Sequence, residues 1–344
     1  MYFRDKEGWL KKARLVAKGF QEEPANNVYA PLASLQTIRL LISIAVSRKW
    51  EIRQLDVPAA FLNRYVDDDI YIKTPDRVKN EPGKVLKLKR RLVWLIIWVD
   101  DMLVTGERTQ VENLIRLLKG EFEAKDLGIL SEFLGTMIEN YGDKVKISQS
   151  SFINKIVFKF NTILCKGVNT PMVCDFQVDT EEPVNEKFIF RRLIGSLMFV
   201  ATVSRPDISY SVCYLIMEAG KRVLRYLQQT QDLCLTFKPR SDYKLVCYSN
   251  SDWEGDKLDR RSVSRCILLH GQNTISWGCI KQGTVALSTA EAEYIACNTA
   301  ACDLVYLQGV LQDFQSATST PVLLTDKVPL LWQIVLRTVG IHAI

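Results

Sequence analysis

Histidine is scarce in this sequence: the 344 residues include only two, His270 and His342. The nine cysteines are scattered, and no two of them form a Cys-x-x-Cys pair. A zinc site is therefore not expected, because structural zinc sites draw on such pairs and on histidines at fixed spacing. Scattered, unpaired thiols are typical of a reduced intracellular protein, and buried apolar cysteines are the simplest interpretation of most of them.

Long apolar runs are also missing. No stretch reaches 18 consecutive apolar residues, so no membrane span is expected. Charged residues begin at Arg4 and continue through Glu7, which does not resemble a secretory signal peptide. We therefore expect an intracellular protein that is not secreted.

The composition is that of a globular protein with an uneven charge. Apolar residues make up 47% and charged residues 24%, which suits a packed core in two or three domains. The first 242 residues carry a net charge of +7, whereas the remainder carries −1. A basic first part suits nucleic-acid binding, although a solvated basic surface is the plainer alternative.

Apolar periodicity predicts a mixed α+β fold. Spacings of three and four residues predict helices, and short apolar runs predict strands. The predicted helices are 35–50, 111–122, 221–230 and 288–311. The predicted strands are 51–57, 94–99, 102–104, 245–248, 264–269, 274–277 and 322–324, and a short basic strand region is predicted at 11–20.

Two adjacent acids, Asp100 and Asp101, interrupt the apolar strand pattern and predict a hairpin with carboxylates at its tip. Asp56 ends an earlier predicted strand and is the natural third acid. Carboxylates that converge from rigid elements suit Mg²⁺, and two such ions suit phosphoryl transfer. A polar turn is the alternative on spacing alone. The acidic run 67–69 lacks a preceding apolar strand and is interpreted as a solvated loop.

These acids lie within a series of motifs in fixed order. The series resembles the reverse transcriptase region of copia-type LTR-retrotransposon Pol polyproteins over nearly the whole chain. The matching segments are Lys12–Phe20, Thr37–Leu41, Gln54–Val57, Ala60–Asn63, Trp98–Leu103, Lys125–Gly128, Phe133–Gly135, Thr170–Met172, Gly195–Met198 and Arg205–Ile208.

The resemblance implies a domain order. Reverse transcriptase fingers and palm would occupy 1–135, shortened internally near residue 95. A thumb and connection would occupy 136–242, and an RNase H-like α/β domain would occupy 243–344. The implied activities are an RNA-directed DNA polymerase, which is a nucleotidyltransferase, and a ribonuclease H.

The resemblance also implies the polymerase site. Asp56, Asp100 and Asp101 would bind two Mg²⁺ ions, and the partners would be an RNA template, a DNA primer and a dNTP. Phe61 would exclude a ribose 2′-hydroxyl, although core packing is its plainer role. Arg14 would contact the triphosphate, for which guanidinium geometry is suited.

For the RNase H part, the resemblance implies Glu291 and Asp326 as Mg²⁺ ligands that act on an RNA–DNA hybrid. Asn250 stands where the family has its first-strand aspartate, and Asp252, two residues later on the same strand face, is a candidate catalytic acid. Glu291 also completes a capping box with Ser288, a role compatible with metal binding. Asp326 could equally be a turn residue.

The chain also departs from the family's pattern. After Leu92, the family has a long further stretch, whereas here Val93–Leu95 runs directly into the acidic hairpin. We therefore expect a degenerate copy that is weakly active or inactive. The alternatives are a non-catalytic nucleic-acid-binding protein and an inert retrotransposon relic.

Overall fold

A computed structural model describes eleven segments of the chain: 2–4, 12–14, 33–56, 93–98, 101–122, 124–173, 187–214, 217–240, 242–256, 259–313 and 322–325. Met1–Leu32 forms one compact unit, and Ala33–Ile344 forms a second. The three-part domain division expected from the sequence remains a prediction.

The described elements come in runs of strands and runs of helices, as expected for an α+β protein. The helices are α1 (Leu35–Arg48), α2 (Arg108–Phe122), α3 (Ser150–Lys159), α4 (Lys187–Val203), α5 (Ser209–Cys213), α6 (Met217–Gln229) and α7 (Thr289–Asp313). The strands are β1 (Tyr2–Arg4), β2 (Lys12–Arg14), β3 (Ile52–Asp56), β4 (Val93–Trp98), β5 (Asp101–Gly106), β6 (Lys125–Ile129), β7 (Glu132–Phe133), β8 (Thr136–Asn140), β9 (Val145–Ser148), β10 (Leu235–Phe237), β11 (Leu245–Asp252), β12 (Val263–His270), β13 (Asn273–Lys281) and β14 (Val322–Thr325).

In the first unit, β1 and β2 form an antiparallel pair in which Tyr2 lies opposite Arg14. This is the part of the predicted basic strand region 11–20 that the structure describes.

The first sheet of the second unit has the strand order β4-β5-β3-β6, and all its neighbours are antiparallel. Alternate residues point to opposite faces, so each strand contributes to two cores. Ile52 and Leu103 pack in the core that contains α1. Leu55 and Val104, on the opposite face, pack against the apolar side of α2, which presents Ile115. Both faces of this sheet are therefore covered by a helix.

A helical layer and a small sheet follow. The small sheet has the order β10-β9-β8-β7. Helices α3, α4 and α6 share a core that includes Leu197 and Leu224. Beside it lies a fully buried ion pair, in which Arg205 contacts Asp207 at 2.7 Å, and Tyr226 donates its hydroxyl to the same carboxylate. Because the pair is buried, the additional hydrogen bond from Tyr226 helps to offset the free-energy cost of removing both charges from water.

The last sheet has the order β13-β12-β11-β14, with β14 parallel to β11 and the other neighbours antiparallel. Gly271 and Gln272 join β12 to β13, both with positive φ, as a tight hairpin requires. A Cβ at Gly271 would come within 2.3 Å of the Asp242 carbonyl oxygen, so only glycine fits there. Helix α7 packs on β11 and β12 through small and apolar side chains such as Ala300 and Leu307.

Helix α1 lies at the centre of the second unit. Ser34 caps its start by accepting a bond from the Thr37 N–H, and Lys49 ends it in the left-handed conformation. All ten residues from Thr37 to Val46 are buried, so the helix is enclosed on every side. Its core joins apolar residues of the first sheet, the small sheet and the last sheet.

Among the described residues, no helix combines the length and apolar character that crossing a membrane requires.

Candidate functional site

Two carboxylates lie side by side at one end of the first sheet. Asp101 is the first residue of β5, and its Cα partner on β3 is Asp56, the last residue of that strand. Both residues are partly exposed. Paired positions on adjacent antiparallel strands point to the same face, with Cβ atoms about 5 Å apart. The sheet therefore holds two anionic groups next to each other on a rigid frame.

The flanking positions of this row carry an aromatic and a cationic side chain. Trp98 of β4 is the Cα partner of Asp101, and Lys125 of β6 is the partner of Asp56. Gln54 donates its amide N–H to Asp101 Oδ1 at 3.1 Å and so fixes that carboxylate. The four strands thus present tryptophan, two carboxylates and a lysine in order across one face.

A third acid of the sheet, Asp126, serves another purpose. It lies on the opposite face, 2.6 Å from Arg53 and 3.6 Å from Lys119 of α2. Burial alone would raise the pKa of Asp126. The bond from Arg53, the bond from the Gly128 N–H and the two positive charges outweigh burial and lower it. Asp126 therefore anchors α2 to the sheet.

Only some of the other predicted polymerase residues are among those that the structure describes. Asp100 and Phe61 lie outside the described residues, as does the acidic run 67–69. Arg14 lies in β2 of the first unit. Within the described segments, no group of three or more metal-ligating side chains is brought together.

The predicted RNase H residues occupy β11 and α7. Asn250 and Asp252 lie near the end of β11, opposite Arg265 and Val263 of β12. Glu291 lies in the first turn of α7, where its carboxylate accepts a bond from the Leu287 N–H at 2.7 Å.

The cap at the start of α7 is reciprocal. Ser288 Oγ accepts a bond from the Glu291 N–H at 3.2 Å, as in the predicted capping box. Strand β14 ends at Thr325 beside Ser249, and Asp326 lies outside the described residues.

Asp252 is held by four donors. The Val263 N–H bonds to Oδ1 at 2.6 Å, and Arg265 contacts Oδ2 at 2.9 Å. The hydroxyls of Tyr210 and Tyr214 also reach Oδ2, at 3.3 and 3.1 Å. Burial, together with the nearby carboxylate, raises the pKa of both tyrosines, so they remain neutral donors.

Arg265 completes this cluster by stacking on the ring of Tyr210, 3.9 Å from its centroid. Asp252 therefore joins α5 to the last sheet, and its lone pairs are largely committed to protein donors.

Sequence reasoning did not identify several of these neighbours. Tyr210 and Tyr214 precede Asp252 by about forty residues, and no local pattern links them. Lys125 begins the Lys125–Gly128 motif and so could have been selected from the sequence. Its position beside Asp56, however, follows only from the pairing of β6 with β3.

Comparison with known proteins supplies the lineage. Residues 4–96 and 90–174 match the family described as "Reverse transcriptase (RNA-dependent DNA polymerase)". The chain is 30% identical over 377 residues to the retrovirus-related Pol polyprotein from transposon RE1 of Arabidopsis thaliana, covering 92% of this chain and 26% of that protein.

Two further relatives extend the comparison. The corresponding polyprotein from transposon TNT 1-94 of Nicotiana tabacum is 30% identical, with 88% of this chain and 28% of that protein covered. An uncharacterized mitochondrial protein of Arabidopsis thaliana is 32% identical over 241 residues, which cover 66% of this chain and all of that protein.

The chain thus spans about a quarter of the length of the two polyproteins. The alignment with the RE1 polyprotein is longer than the chain's own 344 residues, so that polyprotein has internal residues with no counterpart here. The family match also falls into two segments that meet at residues 90–96, where the sequence predicts an internal shortening. The chain belongs to the reverse transcriptase (RNA-dependent DNA polymerase) family, in the branch of copia-type retrotransposon Pol polyproteins, and its shortened form fits a degenerate copy.

Proposed function

We propose that the first part of this chain is a remnant RNA-directed DNA polymerase whose site is built on Asp56, Asp100 and Asp101. The observation that carries the proposal is the cross-strand pairing of Asp56 with Asp101 at the end of the first sheet. Two adjacent carboxylates on neighbouring strands repel each other, and a divalent cation bound between them relieves that repulsion. The donor chemistry of this pair therefore fits Mg²⁺.

In this proposal, Asp56 and Asp101 hold Mg²⁺ together with Asp100. When bound, Mg²⁺ supplies charge stabilisation to the phosphates of an incoming dNTP. Gln54 keeps Asp101 in one orientation, because its amide is bonded to Oδ1. Lys125, beside Asp56, adds a positive charge on the same face that attracts a triphosphate. The partners are an RNA template and a DNA primer, with Phe61 and Arg14 retained as proposed nucleotide contacts.

We further propose that this copy polymerises weakly or not at all. Residues are missing relative to the RE1 polyprotein, and the two segments of the family match meet at residues 90–96, at the start of β4. A polymerase site needs its template and nucleotide surfaces positioned to within about 1 Å, so loss of neighbouring structure costs rate even where the acids are retained.

The test is primer extension on an RNA template with Mg²⁺, using the full chain, Asp101→Asn and Asp143→Asn. Asp143 lies in the exposed turn between β8 and β9, so its variant is matched in chemistry and remote from the site. The proposal expects trace extension that Asp101→Asn abolishes and Asp143→Asn leaves unchanged. Extension of equal strength in all three proteins would refute the assigned site.

For the last part of the chain, we propose descent from an RNase H domain without appreciable activity. The strand order β13-β12-β11-β14, followed on β11 and β12 by α7, supports the lineage. Asn250 replaces an anionic ligand with a neutral one, and the Asp252 carboxylate is committed to four donors. Asp252 as found does not fit a metal site, so no step is derived through it.

Cleavage of an RNA–DNA hybrid tests this second proposal. The full chain should give no Mg²⁺-dependent cleavage above that of Glu291→Gln. Cleavage that Glu291→Gln abolishes would contradict it and would place Glu291 in a working site.

The net charge of +7 in the first 242 residues favours a second candidate function, non-catalytic binding of nucleic acid. Retention of an RNA–DNA hybrid that weakens steeply with salt, without turnover, would support it. Failure to bind even at low salt would exclude it.

A further inference from the structure

Helix α5 contacts the last sheet at β13 and carries a cysteine on the side that faces it. Tyr210 and Cys213 are three residues apart, which places them on the same side of the helix. The Tyr210 ring centroid lies 3.9 Å from Arg265 Cζ on β12. The Cα partner of Arg265 on β13 is Cys279, so both side chains point to the same face of the sheet. The packing of Tyr210 therefore brings Cys213 towards Cys279.

The two thiols contact each other directly. The Cys279 thiol donates a hydrogen bond to the Cys213 sulfur, and the backbone N–H of Lys281 donates a second one. Cys279 and Lys281 are two residues apart on β13, so both belong to the strand face that meets α5. Both cysteines are in the thiol form and partly exposed, so a small reagent can reach them. A disulfide would replace the hydrogen-bond contact by an S–S bond of about 2 Å.

The surroundings give the two thiols different acidities. The hydrogen bond from Cys279, with the N–H and the charge of Lys281, lowers the pKa of Cys213 despite burial and the nearby Asp252 carboxylate. Donating that bond and burial both raise the pKa of Cys279. The thiolate is the nucleophilic form of cysteine. Cys213 is therefore the thiol that reacts first, and Cys279 is placed to react second.

A second pair of neighbouring cysteines shows that proximity alone does not produce this arrangement. Cys247 and Cys266 lie on adjacent strands, β11 and β12, and are close enough to influence each other's ionisation. Burial raises the pKa of Cys247, and it raises the pKa of Cys266 to about 12. Buried thiols of this kind are inert, because they stay protonated and are shielded from reagents.

We propose that Cys213 and Cys279 are a redox-modified pair that forms a reversible disulfide in the presence of a peroxide. The Cys213 thiolate attacks one oxygen of hydrogen peroxide, the O–O bond breaks, and the other oxygen takes up a proton and leaves as water. The Cys279 sulfur then attacks the sulfenic acid on Cys213, the S–O bond breaks, and the hydroxyl leaves as water with the Cys279 proton. The two thiols together lose two electrons, and the peroxide is reduced to two water molecules.

The disulfide would join α5 covalently to β13 beside the Asp252 cluster. Tyr210 and Tyr214 of α5 donate to Asp252, so the new bond would fix the helix where these contacts are made. A dithiol reductant would reverse the modification. None of the residues proposed for polymerisation takes part, so failure of this proposal and failure of the polymerase proposal are distinguishable.

Peptide mapping of the full chain tests the proposal. The reduced protein is treated with hydrogen peroxide, the remaining thiols are blocked with N-ethylmaleimide, and the digest is analysed by mass spectrometry without reduction. The wild-type chain and Cys302→Ser, which removes an exposed cysteine on α7, should both give the peptide pair linked through Cys213 and Cys279. Dithiothreitol should remove the linked pair. Full blocking of both thiols by N-ethylmaleimide after peroxide treatment, or linkage of Cys213 chiefly to another cysteine, would overturn the proposal.

A second measurement checks the order of the two steps. In Cys279→Ser the sulfenic acid has no resolving thiol, so dimedone should capture it on Cys213. In Cys213→Ser the remaining Cys279 should stay unmodified under the same treatment. Dimedone capture on Cys279 but not on Cys213 would overturn the assigned roles. The linked pair in the wild-type chain is a separate readout that does not depend on either variant folding.

Discussion

His270 is the buried titratable residue with the clearest consequence for stability. It ends β12, and its Nδ1 lies 3.0 Å from the Oγ of Ser43 on α1. Asn273 donates to the same hydroxyl and also bonds both ways with the backbone of Lys238. Burial lowers the pKa of His270 from 6.5 to about 4, so the imidazole is neutral in the folded protein at neutral pH.

This shift predicts acid sensitivity. Below about pH 6.5 His270 is protonated in the unfolded chain, whereas in the folded chain it stays neutral until about pH 4. The free energy of unfolding therefore falls as the pH drops between these values. The loss should reach roughly 3 kcal/mol. The stability measured by urea unfolding across this range should depend less on pH for His270→Gln than for the wild type. Equal pH dependence in both proteins would show that His270 does not titrate as expected.

Asp252 has a structural role in the fold that differs from the role in the site predicted from the sequence. The sequence makes it a candidate catalytic acid near Asn250, whereas in the fold it accepts bonds from Tyr210, Tyr214 and Arg265. Its removal should therefore act on stability. We predict that Asp252→Asn lowers the free energy of unfolding by about 2 kcal/mol, because the partly buried charge of Arg265 then loses its partner.

Calorimetry of Asp252→Asn, Tyr214→Phe and the combined variant measures the coupling between these residues. The loss of unfolding free energy in the double variant should be smaller than the sum of the losses in the two single variants, because both substitutions remove parts of one hydrogen-bond network. Strict additivity would show that the tyrosine bond contributes nothing.

At the scale of elements, α4 depends on a residue from a different helix. Arg39 of α1 is buried and donates to the carbonyls of Thr202 and Val203 at the end of α4, and to Ile275 O on β13. It also stacks on Trp277, whose indole N–H bonds to Ala201 O at 2.7 Å. The last carbonyls of a helix have no partners within the helix, so this pair of side chains acts as a cap.

Replacing Arg39 should lower the free energy of unfolding more than replacing an exposed arginine does. Burial lowers the pKa of Arg39 to about 9, which still leaves the guanidinium charged at neutral pH. We predict that Arg39→Leu lowers the free energy of unfolding by about 3 kcal/mol, since three carbonyls, two of them in buried hydrogen bonds, lose a donor. Arg39→Lys should recover little, because an ammonium lacks the planar fork that reaches two elements. Arg116→Leu, on the exposed side of α2, is the matched control and should change stability little.

About half of the described elements were predicted, because the information that specifies them is local, whereas α3–α5 and β6–β10 were not predicted. The predicted helix 35–50 corresponds to α1, and the predicted run 94–99 corresponds to β4. The hairpin at residues 264–277 follows from its glycine turn. The mixed α+β class is confirmed, whereas the RNase H assignment remains a prediction. The spacing predicted a helix for α1 but not its complete enclosure, because polar residues such as Arg39 and Ser43 find buried partners that are distant in sequence.

The candidate site was predictable only in part, for the same reason. Asp56 and Asp101 were selected by motif, and the structure places them as neighbours on adjacent strands. Their roles remain predictions. The neighbours that tune the site, Lys125 and Gln54, depend on strand pairing, and pairing across the 44 residues between β3 and β5 cannot be inferred from local pattern.

At the scale of the whole molecule, the central position of α1 has a consequence for cooperativity. Its side chains share one core with residues of both larger sheets, including Leu103 of β5 and Leu268 of β12. The two sheets therefore cannot separate without exposing the same buried helix to water. If they carried independent cores, each would unfold separately, but a shared core couples them.

A cavity in α1 should therefore weaken both sheets together. Leu41 is fully buried in the shared core, and we predict that Leu41→Ala lowers the free energy of unfolding by about 2–5 kcal/mol. Hydrogen exchange provides the measurement: amide protection in β5 and in β12 should fall by similar factors, because both report on the same opening. Leu164→Ala, at an exposed position, should change neither. Loss of protection in β5 alone would show that the sheets open independently and that α1 belongs energetically to the first sheet only.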